Sequence, residues 1–185
     1  MAVIAGSGCG GNRPPRDPAE AAGPADPTQR TARRALIVAE AAASSWMRDA
    51  ELIYLENDAA VGLDGDSPRW GFLFHSELID SWHNVAVENG RVVHQGPLAF
   101  PFAAPDLPAE WIDSTEAVKR AEAAGGRAFR ERSSGYLEHA MLTRGVFTAW
   151  DGPPTWTVVY RSPDRSEYAI VVNAADGSIL SRFEG

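Results

Sequence analysis

Few residues in this chain could do chemistry, and the first group of them lies at its start. The run Ala2-Val-Ile-Ala-Gly-Ser-Gly-Cys-Gly-Gly11 sets Gly6, Gly8 and Gly11 at the spacing G-x-G-x-x-G behind a short apolar stretch. In a dinucleotide fold such glycines let the N–H groups of a helix start hold a pyrophosphate. Here Asn12-Arg-Pro-Pro-Arg-Asp-Pro18 follows, and prolines beyond a first turn remove donors and block that helix, so the dinucleotide reading fails. The histidines are His75, His83, His94 and His139. His75 and His83 flank Glu77 and Asp80, the residue types of a metal site, but they lack the i, i+4 spacing of His-Glu-x-x-His. Asp64-Gly-Asp66 opens like a calcium loop, yet the position owed to a bidentate Glu is His75, and a turn accounts for it better. Ser44-Ser45 and Ser133-Ser134 have no nucleophile-elbow context. No catalytic residue, metal ligand or cofactor is expected, and the chain is expected not to be an enzyme.

Cys9 is the sole cysteine, so no internal disulfide or multi-cysteine metal site can form. Small residues before a lone Cys and a Gly- and Pro-rich polar tether after it resemble a bacterial lipobox. In lipoproteins that cysteine is lipidated and becomes the first residue of the mature protein. Gly6 stands where a Leu-like residue is usual, and a charged n-region and full h-region are missing, which a start codon assigned too far downstream would explain. The alternative is a cytoplasmic tail with an incidental cysteine. Residues 1–27, with prolines at 14, 15, 18, 24 and 27 and no apolar period, read as signal remnant and linker.

A net charge of −8 and a pI near 5.0 argue against a nucleic-acid binder or adhesion to anionic lipid, each of which needs a basic face. No apolar stretch approaches the roughly 18 residues of a membrane-spanning helix, so membrane contact is expected only through Cys9. With 44% hydrophobic residues and six Trp, a packed core is expected.

The elements that build that core come in a repeated order. Ala32, Ala35, Leu36, Ala39, Ala43 and Trp46 make one helical stripe, with Thr28 or Thr31 as its start cap. A strand follows over 50–56, then a turn-rich loop, then Trp70, Phe72 and Phe74 alternating along a second strand. Val85 and Val87 lead into the hairpin signal Asn89-Gly90. After a proline-bearing connector, Asp113 and Glu116 read as a capping box, Ala117, Val118, Ala121 and Ala124 as a helix stripe, and Gly125-Gly126 as its end. An extended strand over 137–148, or a strand pair interrupted at Gly145, precedes Trp156, Val158 and Tyr160, then Tyr168, Ile170 and Val172, then the turn at Asp176-Gly177.

The spacing predicts an α+β fold of two repeats, each a helix packed on a small antiparallel β-sheet, over 28–95 and 113–185 with a connector at 96–112. The Trp70, Phe72, Phe74, Trp156 and Tyr160 stripes could line a ligand groove, although at strand spacing they fit a core. Trp156-Thr-Val-Val-Tyr160 and Tyr168-Ala-Ile-Val-Val-Asn-Ala-Ala-Asp-Gly177-Ser-Ile-Leu180, behind the alanine helix, resemble a PepSY domain, with Asn173 where Asp is commoner. Trp70-Gly-Phe-Leu-Phe74 and Val85-Ala-Val-Glu-Asn-Gly90 resemble the same unit more loosely. That resemblance implies an extracytoplasmic, periplasmic or cell-surface chain without catalytic residues, and a binding or peptidase-regulating role whose partner is another exported protein, such as a peptidase. A small-ligand carrier or enzyme with a site between the repeats is the competing expectation.

Overall fold

The computed structural model describes Thr28 and residues 30–185, so Cys9 lies outside the described residues. Helix α1 (Ala32–Trp46) starts at Thr31, whose hydroxyl accepts from the Arg34 N–H at 3.4 Å, and it buries Ala32, Ala35, Leu36, Ala39 and Ala43. Alanines at that face let a sheet approach closely. Four strands follow, β1 (Ala50–Asn57), β2 (Arg69–Ser76), β3 (Ser81–Glu88) and β4 (Arg91–Pro97), each antiparallel to its predecessor. Asn89 and Gly90 close the β3–β4 hairpin at φ of 47° and 78°, the conformation that their side chains tolerate. The second half runs through α2 (Ser114–Ala121), a kinked segment (Glu122–Gly126), α3 (Arg127–Ser133) and strands β5 (Tyr136–Thr143), β6 (Thr155–Arg161), β7 (Glu167–Asn173) and β8 (Ile179–Glu184). All eight strands form one antiparallel sheet in the order β4-β3-β2-β1-β5-β6-β7-β8, with the helices on one face.

The two halves of the sheet meet through only two residue pairs, Leu55 with Leu142 and Glu56 with Met141. Past them the ladder is replaced. On one side the Asn57 carboxamide accepts from the Ala140 N–H at 2.7 Å and donates to the Glu138 carbonyl at 3.1 Å. On the other, the Leu107 N–H donates to the Leu52 carbonyl at 2.7 Å. The helix starts are also tied together. Asp113 accepts from its own Ser114 N–H at 2.8 Å and from the Arg33 N–H of α1 at 3.0 Å, and the Ser114 hydroxyl accepts from the Ala32 N–H at 3.1 Å. One carboxylate thus serves two helix N-termini, where negative charge is favoured. Glu116 completes no capping box. It pairs instead with Lys119 and Arg120 at 3.2 and 2.7 Å.

Trp70 and Trp156 fill the core across the seam, edge to face with ring centroids 6.2 Å apart, and Trp111 packs on Trp156 at 5.9 Å. Both indoles are fully buried and both are satisfied. Trp70 donates to the Arg30 carbonyl and Trp156 to the Ile112 carbonyl, each at 2.8 Å.

Gly125-Gly126 ends the first helix of the second half, as expected: Gly125, at φ 138° and ψ −14°, leaves helical geometry. A Cβ on Gly126 would lie 2.3 Å from the Tyr160 ring, and one on Gly125, at φ 138°, would lie 2.6 Å from the Tyr168 hydroxyl. Two tyrosines from the sheet press on the chain there, so the kink takes glycines, and a new helix, α3, starts behind it. Over 137–148 the strand stops at Thr143, and Gly145, the expected interruption, turns the chain away at φ 77°.

Trp156→Phe keeps a ring in the core but takes the indole donor from the Ile112 carbonyl, whereas in Trp70→Phe the Arg30 carbonyl keeps the Ser67 N–H at 3.0 Å. Urea unfolding should show a loss of about 1–3 kcal/mol for Trp156→Phe and a smaller one for Trp70→Phe. Gly126→Ala should cost about 1–3 kcal/mol by overpacking against Tyr160, and an unchanged midpoint would refute that contact.

Candidate functional site

On the sheet face away from the helices, the alternate residues of each strand point outward: Tyr54 and Glu56 of β1, Gly71 and Leu73 of β2, Trp82 and Asn84 of β3. After β4 the chain turns back over this face as a strap, residues 98–106. The Leu98 N–H donates to the Trp82 carbonyl at 2.9 Å, and the Trp82 indole donates to the Phe102 carbonyl at 2.9 Å. The Phe102 ring rests on Tyr54 with centroids 5.4 Å apart. The strap then passes between the splayed ends of β1 and β5, so that Leu107 and Trp111 are buried in the core on the helix side. Its route explains why those two strands pair so briefly.

Beside the strap lies a groove of about 330 Å³, floored by Tyr54, Gly71, Leu73 and Asn84 and walled by Leu98, Phe100 and Phe102. Phe100 is 61% exposed. At the rim the Tyr54 hydroxyl donates to the Glu56 carboxylate at 2.8 Å, and burial, followed by the Glu56 charge, pushes the phenol pKa far up, so Tyr54 is a neutral donor. The Asn84 Oδ1 is enclosed and has no hydrogen-bond partner among the described residues. Farther along the same face, Phe147 meets Phe183 with centroids 5.8 Å apart and Trp150 is 59% exposed. The outer face therefore offers aromatic surface in both halves, of the kind that marks interaction sites. The arrangement can bind an apolar or aromatic group beside the Tyr54–Glu56 pair.

The stripes singled out in the sequence lie elsewhere. Trp70, Phe72, Phe74, Trp156 and Tyr160 are buried under the helices as core. The groove is made by the intervening residues Gly71 and Leu73 and by the connector, whose sequence carries no period. The one usable signal was Leu98-Ala-Phe-Pro-Phe102, an apolar run in a segment that otherwise reads as linker. The histidines do not converge. His75 stacks on Trp82 at 4.9 Å on the outer face, whereas His83 stacks on Trp46 at 4.6 Å on the helix face. Among the described residues no group of three His, Cys, Asp or Glu is placed to hold a metal ion. Asp64 accepts from the Asp66 N–H at 3.1 Å in a turn whose Gly65 lies against the Ser114 backbone. A second cleft of about 440 Å³ opens between α1 and residues 107–111, with Arg33, Glu40 and Glu51 on its walls. Arg33 is committed there to the Trp111 carbonyl and ring, its guanidinium 4.1 Å from the ring centroid.

No helix among the described residues is long and apolar enough to cross a membrane. No family model matches the chain, and no curated protein matches it. Among solved structures, the chain resembles a candidate lipoprotein from Clostridium difficile 630 at a TM-score of 0.55 and 11% identity, over 85% of this chain and 94% of that one. At that identity the likeness establishes the fold: an α+β chain built on one open antiparallel sheet.

Burial first, then the nearby His94, holds the His83 pKa below the ordinary imidazole value, with Gln95 opposing. The unfolded chain then binds the proton more readily than the folded one. Stability should be intact above the unfolded value of about 6.5 and fall as pH drops below it. Thermal unfolding from pH 7.5 to 5 should show a smaller acid loss in His83→Phe, which keeps the stack on Trp46, and equal losses would contradict the assignment.

Proposed function

We propose that this chain is a non-catalytic binding module outside the cytoplasm, tethered by a lipid on Cys9 and engaging another exported protein, a peptidase among the candidates, through the outer face of its sheet. The observation that carries the reading is the groove beside the strap with its exposed Phe100. An aromatic surface left open on a chain whose core is already filled points to a partner. The tether is supported by the small residues ahead of Cys9 and by the likeness to a candidate lipoprotein over nearly all of that chain.

The reading includes a duplicated PepSY-like unit. It is supported by the order of one helical segment and four strands in each half, by sheet neighbours that run outward in mirror order from β1 and β5, and by the matched indole bonds of Trp70 and Trp156. Edge strands β4 and β8 each carry a bulge against their neighbour, at Val93 and Leu180. The space between the halves is occupied by Trp70, Trp111 and Trp156, which favours a surface binder over an enclosed site there. A second reading, a small-ligand carrier, rests on the cleft beside α1. Glu51 on its wall is held above the usual carboxylate range by burial and then by Asp106, Asp49 and Glu40.

A photo-crosslinking residue at Phe100 should yield a discrete adduct in intact host cells, while one at Glu131 on α3 should not. Equal labelling from both positions would remove the outer face as the contact surface. In a chain given a complete signal peptide, incorporation of a fatty-acid probe should vanish in Cys9→Ala, and labelling that persists would end the lipoprotein reading.

A further inference from the structure

We propose that the hollow over Gly71 receives an aromatic side chain presented by an extended segment of a partner polypeptide. The proposal rests on the binding-module reading and names what its groove takes.

The first argument is Gly71 itself. It lies inside β2, paired with Glu56 of β1 and Ala86 of β3. Its φ is not positive, and a Cβ added there would meet nothing closer than 3.9 Å. Neither backbone nor packing requires glycine. By contrast, Gly62, Gly65, Gly125 and Gly126 each face an atom within 2.6 Å of such a Cβ. Glycine inside a strand weakens it and marks places where a ligand or another backbone comes close. Here the missing side chain leaves the hollow between Tyr54, Leu73 and Asn84. In the second half, Thr157 holds the matching place, paired with Met141 and Val171, and is buried.

The second argument is chemical. The face already holds one occupant, the strap, and holds it by an aromatic ring on Tyr54 and a backbone carbonyl taken by the Trp82 indole. The vacant part of the groove has the same composition, an apolar floor with a polar mark. Asn84 lines the hollow with its Oδ1 enclosed and unpartnered among the described residues; turned toward the groove, its carboxamide would take a peptide or indole N–H, which a hydrocarbon chain lacks. Glu56 at the rim also accepts and does not repel a donor. The volume, about 330 Å³, is at the low end for ligand pockets and suits a single anchoring residue.

The test uses the full chain, 15N-labelled, titrated with the peptide Ac-Ser-Trp-Ser-Val-NH2, its Trp-to-Ala analogue and dodecanoate. The Trp peptide should shift the amides of Gly71, Leu73 and Asn84 saturably, and the Ala analogue should bind at least about tenfold more weakly, the scale of losing an anchor. Gly71→Val should keep or raise the melting temperature while weakening the Trp peptide by about tenfold or more, and Asn84→Ala should weaken it several-fold. Three results overturn the proposal: undiminished binding by Gly71→Val, a lowered melting temperature that makes Gly71 a structural requirement, or dodecanoate shifting these amides when the Trp peptide does not. If the Phe100 crosslinker captures its adduct equally well in Gly71→Val, the binding module stands and the aromatic hollow falls.

Discussion

The two-pair seam between β1 and β5 carries an eight-stranded sheet from one half to the other, and a ladder that short cannot hold by its own hydrogen bonds. Three other ties make up for it. Asn57 extends the pairing with its side chain, Leu107 extends it from the connector, and Trp70 and Trp156 lock edge to face across it. A fourth tie runs above the sheet, where Asp113 and Ser114 satisfy N–H groups of α1 as well as α2. Each half alone would present a small sheet with one helical layer, close to the lower limit for independent stability. Joined, they bury a single core.

The same seam sets the surface. Because β1 and β5 part after two pairs, the connector can cross from the outer face to the helix face through the gap. On its way it lays Phe100 and Phe102 over β1 and β2, which creates the groove and fills only part of it. The helix face is closed by alanine-lined helices and tryptophans, whereas the outer face is left with aromatic surface in both halves. Stability and recognition are thus placed on opposite faces of one sheet, a division that antiparallel sheets permit.

The polar interior follows the same economy. Glu122 and Arg130 pair beside the glycine kink, largely shielded from solvent, and burial with the Glu122 charge pushes the Tyr160 pKa far up. A side chain at Gly125 or Gly126 would collide with Tyr168 or Tyr160, so the glycine kink leaves room for these tyrosines.

Periodicity in the sequence determined α1, the aromatic strands, the Asn89-Gly90 hairpin and the identity of the core, because alternation and helical stripes are local consequences of burying one face. The proline-poor alanine helix and the Trp-led strands were legible for that reason. The path of 98–107, the shared cap at Asp113 and the hollow over Gly71 were not. They depend on which residues distant in the chain come together: Asp113 with Arg33, Leu107 with Leu52, Phe102 with Tyr54. Gly125-Gly126 was legible as a helix end, but that its kink also seats Tyr160 and Tyr168 is decided only by the packed sheet.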